Sequence, residues 1–254
     1  MALYSELRDR VAVVTGAAQG IGNETARAFA EQGARVALLD VDEQGAERVS
    51  REIVAAGGRA VAFAADVTDE NSVNTAIARV AAEFGQIDVT VNCAGGWTFL
   101  ANVEDMPVEE WDRTIALNLR SVFLVCRAVI PLLKRSAAGR IINVASISGR
   151  TIHTTTSPAY AAGKAGVIQL TRILAYQLGP ANVTANAIAP VLTLTPRVAA
   201  LRSKEEIDRI VGQIPLRRPA VPSDHTQAML FLASDAAAYI TGVALDVNGG
   251  RIMM

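Results

Sequence analysis

The hydrophobic pattern repeats one unit along most of the chain. A short apolar run rich in β-branched residues is followed by a small-residue or acidic turn, then by a longer segment with helical spacing. Residues 11–14 form the first run. Thr15-Gly16 follows, then an Ala-rich helix through Glu31 that Gly33 closes. Further apolar runs at 35–39, 60–65, 87–91, 140–144, 183–188 and 243–247 read as buried strands. Helical spacing lies between them, at 42–55 (opened by Asp42), 70–84, 111–133, about 160–178 and 223–233 (capped by Ser223). Residues 191–215, bracketed by Pro190 and Pro215, alternate polar and apolar positions and read as a helical excursion rather than part of the sheet. Strands alternating with helices predict an α/β fold: a doubly wound parallel sheet with helices on both faces and right-handed crossovers. No repeat, low-complexity stretch or linker divides the chain, so residues 1–254 are read as one domain.

Composition narrows the setting. Apolar residues make up 51% of the chain, enough for a large aliphatic core, and the formal net charge is −1. Acidic and basic residues are interspersed, which argues against nucleic acid as a partner. Cys93 and Cys126 have neither metal-ligand nor disulfide-framework spacing and read as reduced thiols. The opening MALYSELRDR lacks the apolar stretch of a signal peptide, and no apolar run approaches a membrane span, so the expected setting is soluble and cytoplasmic.

Candidate chemistry sits where strands end. TGAAQGIG, with glycines at 16, 20 and 22, joins the first strand to the first helix; such a loop lets backbone approach a pyrophosphate at a helix N-terminus. Asp40 lies far enough past that loop to accept ribose hydroxyls and repel a 2′-phosphate. With Gln19 in the loop rather than a basic residue, this favours NAD over NADP. Asp40 equally suits a turn or helix cap. Asn92-Cys93-Ala94-Gly95-Gly96 ends another strand with residues small enough for a ligand to come close. Asn118 interrupts an apolar helix face, as either a satisfied core amide or a site residue. Ser146 follows the fifth strand. Tyr160 and Lys164, four apart, share a helix face, where an ammonium beside a phenol favours the phenolate. The same spacing also suits a surface lysine beside a helical tyrosine.

Taken in order, these motifs resemble the short-chain dehydrogenase/reductase family, in the branch of 3-oxoacyl-carrier-protein reductases and NAD-dependent secondary-alcohol dehydrogenases. The resemblance runs through TGAAQGIG, Asp66-Val67, NCAG (92–95), Asn118, GRIINVAS (139–146), YAAGK (160–164) and ITGVALDVNGG (240–250). It implies a Rossmann-like sheet of seven strands in the order 3-2-1-4-5-6-7, a nicotinamide cofactor and self-association as a homotetramer or dimer through the long helices. It implies Tyr160 as general acid/base, Ser146 as the hydroxyl holding the substrate oxygen, Lys164 as the residue lowering the Tyr160 pKa, and Asn118 as support for a proton relay. Gly16, Ile21, Gly22, Asp40, Asp66, Val67 and Asn92 match cofactor contacts. Gln19, Gly20, Ala94, Gly95, Pro190, Val191, Thr193 and Thr195 extend that surface, together with Tyr160 and Lys164. Val191 replaces the usual Gly and is expected to narrow the nicotinamide side, and Asn248 stands where Asp is commoner.

For the substrate, Trp97, Phe99, Ile147, Val191 and Leu192 suggest an apolar or aromatic ketone or alcohol, with His153 at the pocket mouth. Arg150 and Arg197 are either surface residues or holders of an anion. The expected activity is hydride transfer between NAD(H) and a secondary alcohol or ketone. Two rivals stand beside it: an NADP-linked 3-oxoacyl reductase and a non-catalytic NAD-binding regulator. The complete set of Asn118, Ser146, Tyr160 and Lys164 speaks against the regulator, since a binder needs no acid/base pair.

Overall fold

The computed structural model describes residues 4–152 and 156–253. His153 lies outside the described residues. The apolar runs become seven strands: β1 (Val11–Thr15), β2 (Arg35–Asp40), β3 (Arg59–Ala64), β4 (Val89–Asn92), β5 (Gly139–Val144), β6 (Val183–Pro190) and β7 (Ala244–Val247). Every pairing between them is parallel, in the order β3-β2-β1-β4-β5-β6-β7. The sheet is therefore the doubly wound Rossmann-like arrangement anticipated from the sequence. The strand order reverses between β1 and β4, which lie side by side with Thr15 level with Asn92. Loops leaving these two strands diverge to opposite faces and open a crevice at their carboxyl ends.

Helices cover both faces. One apolar cluster packs α1 (Gly20–Glu31), α2 (Glu43–Ala55) and α9 (Pro222–Ala233) on the sheet through Phe29, Val49, Ile53, Met229 and Leu230. The other packs α3 (Glu70–Phe84), α5 (Ser121–Leu133) and α6 (Pro158–Leu178) through Ile77, Val80, Val125, Val129 and Val167. Each fully buried aliphatic or aromatic side chain of this kind contributes about 1.5–3 kcal/mol. The strands are buried on both sides, so they read as continuous apolar runs rather than alternating ones.

Several expectations shift. The long helix expected over 111–133 begins earlier, as α4 (Val108–Ile115), and widens into a π turn over Ala116–Arg120 before α5. Asn118 sits inside that turn. The composite helix Val108–Leu133 is long and apolar enough, by length and composition, to cross a membrane, contrary to the expectation from apolar runs. Helical continuity through Arg120 and Arg127 makes the difference. Its inner side, including Val122, Leu124 and Val129, lies in the protein core. Ser223 does not cap α9. The helix starts at Pro222, and the Asp224 carboxylate accepts from the Val221 N–H at 2.8 Å. Asp42, by contrast, caps α2 as expected, accepting from the Gly45 N–H. The 191–215 excursion forms α7 (Pro196–Leu201) and α8 (Lys204–Val211), tied to the body by a bridge between Thr193 and Ala220.

Candidate active site

The glycine loop is built from backbone. A Cβ on Gly22 would overlap the Gly16 carbonyl oxygen, so only glycine lets α1 start this close to the end of β1. Asp40, at the end of β2, fixes the loop from the side. Its carboxylate accepts from the Ala18 N–H at 2.9 Å and from the Asp42 N–H at 3.0 Å. Across the crevice, the Thr15 hydroxyl accepts from the Cys93 and Ala94 N–H groups, each at 3.1 Å, and so sets the path of the β4 loop. Val67, Asn92 and Ala94 share that crevice with Thr15, while Asp66 is exposed beside it, accepting from Thr68.

These residues fit a dinucleotide. No side chain caps the first turn of α1, although α2, α3, α7 and α8 each have one, so its positive end is open to a phosphate. Asn92 is 2% exposed and its Nδ2 donates to Asn143, yet its Oδ1 has no partner among the described residues. Gly20 and Thr195 stand in contact across the loop, so the approach to α1 runs between them. Gln19 is the extended residue just before α1.

The side chains read from the sequence as an acid/base group come from the end of β5 and from α6. Ser146 follows β5; its Oγ accepts from the Ser148 N–H at 3.1 Å, and its hydroxyl lies close enough to that of Tyr160 to influence it. Pro158 starts α6, which places Tyr160 and Lys164 on successive turns. Lys164 is 2% exposed, lies 5.6 Å from the Tyr160 ring centroid and donates to the Val144 carbonyl at 2.7 Å. Burial lowers the Lys164 pKa to about 8. Burial also pushes the Tyr160 phenol above its ordinary value, against the pull of the Ser146 hydroxyl and the nearby Arg197 charge.

Asn118 resolves as a clamp. Its Oδ1 accepts from the Gly96 N–H, and its Nδ2 donates to the Gly96 and Thr114 carbonyls, all at 2.8 Å. The π turn frees carbonyls that an ordinary helix would use, and Asn118 and Ser121 take those of Thr114 and Leu117. Gly96 has φ +131, so the loop under this clamp adopts a backbone that side chains disfavour. Gly95 lies against both Asn118 Oδ1 and Lys164 Nζ.

Other expected site residues are placed differently. Val191 and Leu192, beyond Pro190, pack with Ile147, Ile214 and Ala220 in a small apolar cluster that braces the loop. Thr193 is 6% exposed and turned inward, its hydroxyl donating to the Val191 carbonyl and lying 2.7 Å from His225 Nε2. Thr195 caps α7, accepting from the Val198 N–H. Arg150 is engaged elsewhere, with the Ala244 carbonyl and the Asp246 carboxylate. Arg197 instead joins the site, donating to the Gly95 and Trp97 carbonyls at 3.3 and 3.0 Å. Trp97 is partly buried, with the Arg202 guanidinium 5.9 Å from its ring centroid. Burial pushes the Cys93 and Cys126 thiols up to about 12.

Sequence reasoning missed His225, which is wholly buried and braces Thr193 from α9. Burial lowers its pKa from 6.5 to about 4, so the folded protein holds it neutral. A depressed folded-state value makes its contribution complete above about pH 6.5 and progressively lost as the pH falls toward about 4. The loss is expected to reach roughly 3 kcal/mol at its fullest. Urea midpoints of the parent and His225→Gln between these pH values test this; equal slopes would refute it.

A family model described as "Enoyl-(Acyl carrier protein) reductase" matches residues 16–251. The chain is 40% identical to a D-threitol dehydrogenase of Mycolicibacterium smegmatis, over 96% of this chain and 93% of that protein. It is 42% identical to a cis-4-hydroxycyclohexanecarboxylate dehydrogenase of Sinomonas cyclohexanicum, over 95% and 96% of the two chains. Among solved structures, a short-chain type dehydrogenase/reductase from Mycobacterium ulcerans superposes with a TM-score of 0.91 at 29% identity, over 96% of this chain and 90% of that one.

Proposed function

The chain belongs to the short-chain dehydrogenase/reductase family, and from that premise we propose that it transfers hydride between NAD(H) and a secondary alcohol or ketone with an apolar or aromatic body, using Tyr160 as general acid/base. One observation carries this reading: the Ser146 and Tyr160 hydroxyls are neighbours, with buried Lys164 one helical turn beyond.

A nicotinamide cofactor, when bound, supplies the hydride acceptor or donor and an additional positive charge beside the phenol in its oxidised form. Gly16, Gln19, Gly20, Ile21 and Gly22 would take its pyrophosphate side, Asp40, Asp66 and Val67 the adenosine, and Asn92, Ala94, Gly95 and Lys164 the nicotinamide ribose. Pro190, Val191, Thr193 and Thr195 belong to the same surface, with Val191 and Thr193 acting from within the loop packing. In the oxidation direction, Ser146 and Tyr160 hold the substrate oxygen between them, and Tyr160 takes its proton. Reaching a useful phenolate near neutral pH requires overcoming burial as well as a solution value of about 10, a task for Lys164 and the neighbouring positive charges. Asn118 holds the Gly95–Gly96 backbone against Lys164 and so positions the route by which the proton leaves. A panel of secondary alcohols and ketones, assayed with NAD(H) and NADP(H) by absorbance, tests the reading. Absence of turnover with all of them would defeat it.

NAD is favoured because the Asp40 carboxylate is held at the loop by the Ala18 and Asp42 N–H groups. A second reading, an NADP-linked 3-oxoacyl reductase, draws on Arg48, whose guanidinium reaches the Ala18 carbonyl at 3.4 Å. Asp40→Ala is expected to move the ratio of kcat/KM for NADPH over NADH upward by about 10–100-fold. An unchanged ratio would remove Asp40 from the cofactor decision. Self-association as a dimer or tetramer is part of the same reading, with Phe123 of α5 and Ile173 and Tyr176 of α6 exposed for it. So is a cytosolic setting, consistent with two unpaired thiols.

A further inference from the structure

Arg197 is the charged residue whose placement the mechanism above leaves unused. It lies on α7, yet its guanidinium reaches across to the β4 loop and donates to the Gly95 and Trp97 carbonyls. A Cβ on Gly96 would come within 2.5 Å of its Nη1, so the guanidinium rests directly on that backbone. A Cβ on the preceding residue, Gly95, would come within 2.8 Å of Asn118 Oδ1 and 3.1 Å of Lys164 Nζ. Arg197 and the acid/base group thus flank consecutive residues of one short loop. The side chain is partly buried, and no carboxylate among the described residues pairs with it. Two carbonyl bonds fix the plane of the fork and leave further N–H groups of the guanidinium free. A cation held rigid, partly desolvated and unpaired beside a reaction centre is arranged for an anion on the substrate.

We propose that Arg197 is a specificity-determining residue that binds a carboxylate on the substrate, making the preferred substrates apolar or aromatic hydroxy acids and their oxo counterparts. This rests on the oxidoreductase reading above and adds to it where the far end of the substrate is held. Trp97, whose carbonyl accepts from Arg197, brings a partly buried indole to the same loop, so the anion is recognised beside an apolar surface.

The test pairs each of a set of α-, β- and γ-hydroxy acids, alkyl and aryl, with its methyl ester, assayed with the better nicotinamide cofactor. Acids are expected to show a KM about 10–100-fold below that of their esters. Arg197→Met should abolish that preference by raising KM for acids alone, with cofactor affinity unchanged. Arg197→Lys, which keeps charge without the planar fork, should restore part of it. Calorimetry with benzoate on the cofactor-loaded enzyme gives a readout without turnover, and binding should disappear in Arg197→Met. Equal KM for acid and ester in the parent enzyme would overturn the proposal. So would benzoate binding that survives Arg197→Met, or equal losses on acids and esters in both variants, which would make Arg197 a strap between α7 and the β4 loop. Arg197-dependent benzoate binding without turnover of any alcohol supports the anion site while defeating the oxidoreductase reading.

Discussion

Tyr160→Phe is expected to reduce turnover by about 10²–10⁴-fold while cofactor affinity stays near that of the parent. The substitution removes one oxygen and leaves the ring, so the packing of α6 and the position of Lys164 over the aromatic face are kept. Ser146 keeps its bond from the Ser148 N–H, so the cost in stability is held to about 1 kcal/mol. What disappears is the group proposed to exchange a proton with the substrate oxygen. Steady-state kinetics with any accepted alcohol, together with a fluorescence titration of cofactor, separate the two effects. A near-parental kcat would show that another group carries the proton, and a matching loss of cofactor affinity would mean the ring itself had moved.

The second large effect concerns Gly22. In Gly22→Ala the new methyl would overlap the Gly16 carbonyl oxygen, and that oxygen belongs to main chain that cannot rotate aside. The Gly16 N–H donates to the Leu39 carbonyl at 2.9 Å, so relief of the overlap pulls on the end of the sheet. A loss of about 1–3 kcal/mol in stability is expected, with cofactor affinity falling about 100-fold as the loop leaves the start of α1. Urea denaturation and cofactor titration measure the two. Parental cofactor binding in this variant would remove the loop from the cofactor site.

Both variants act on features that were legible in the sequence, and for a shared reason. Strand, glycine loop and helix are consecutive, and Tyr160 and Lys164 are one helical turn apart, so spacing along the chain is already spacing in space. The same holds for Asp40 at the end of its strand and for Asp42 as the α2 cap. Continuous apolar runs announced strands covered on both faces. Their order in the sheet came from resemblance, because each run is equally apolar and carries no label of its neighbour.

Elsewhere, local pattern was a poorer guide. Ser223 is a good cap by type, but Pro222 favours the first helical position and Asp224 reaches back to the Val221 N–H, so the helix begins a residue earlier. Asn118 looked equally like a satisfied core amide and a site residue; it is wholly buried with its amide satisfied, and what satisfies it is the loop beside Lys164. The π turn around it could not be read from residue types, since it reflects how the helix meets that loop.

The sequence by itself determined the class of fold, the glycine loop, the pairing of Tyr160 with Lys164 on one helix face and the acidic residue ending β2, because each is written within one or two adjacent elements. Tertiary structure alone decided the fate of residues whose partners are distant in the chain. Arg150 and Arg197 were indistinguishable as surface or anion-holding arginines, yet one is paired with Asp246 and the other lies on Gly96. Thr193 turned inward to His225, and Val191 and Leu192 became packing under the loop. A long side chain takes its role from whatever the fold brings within hydrogen-bond reach, and the sheet brings those groups together from opposite ends of the chain.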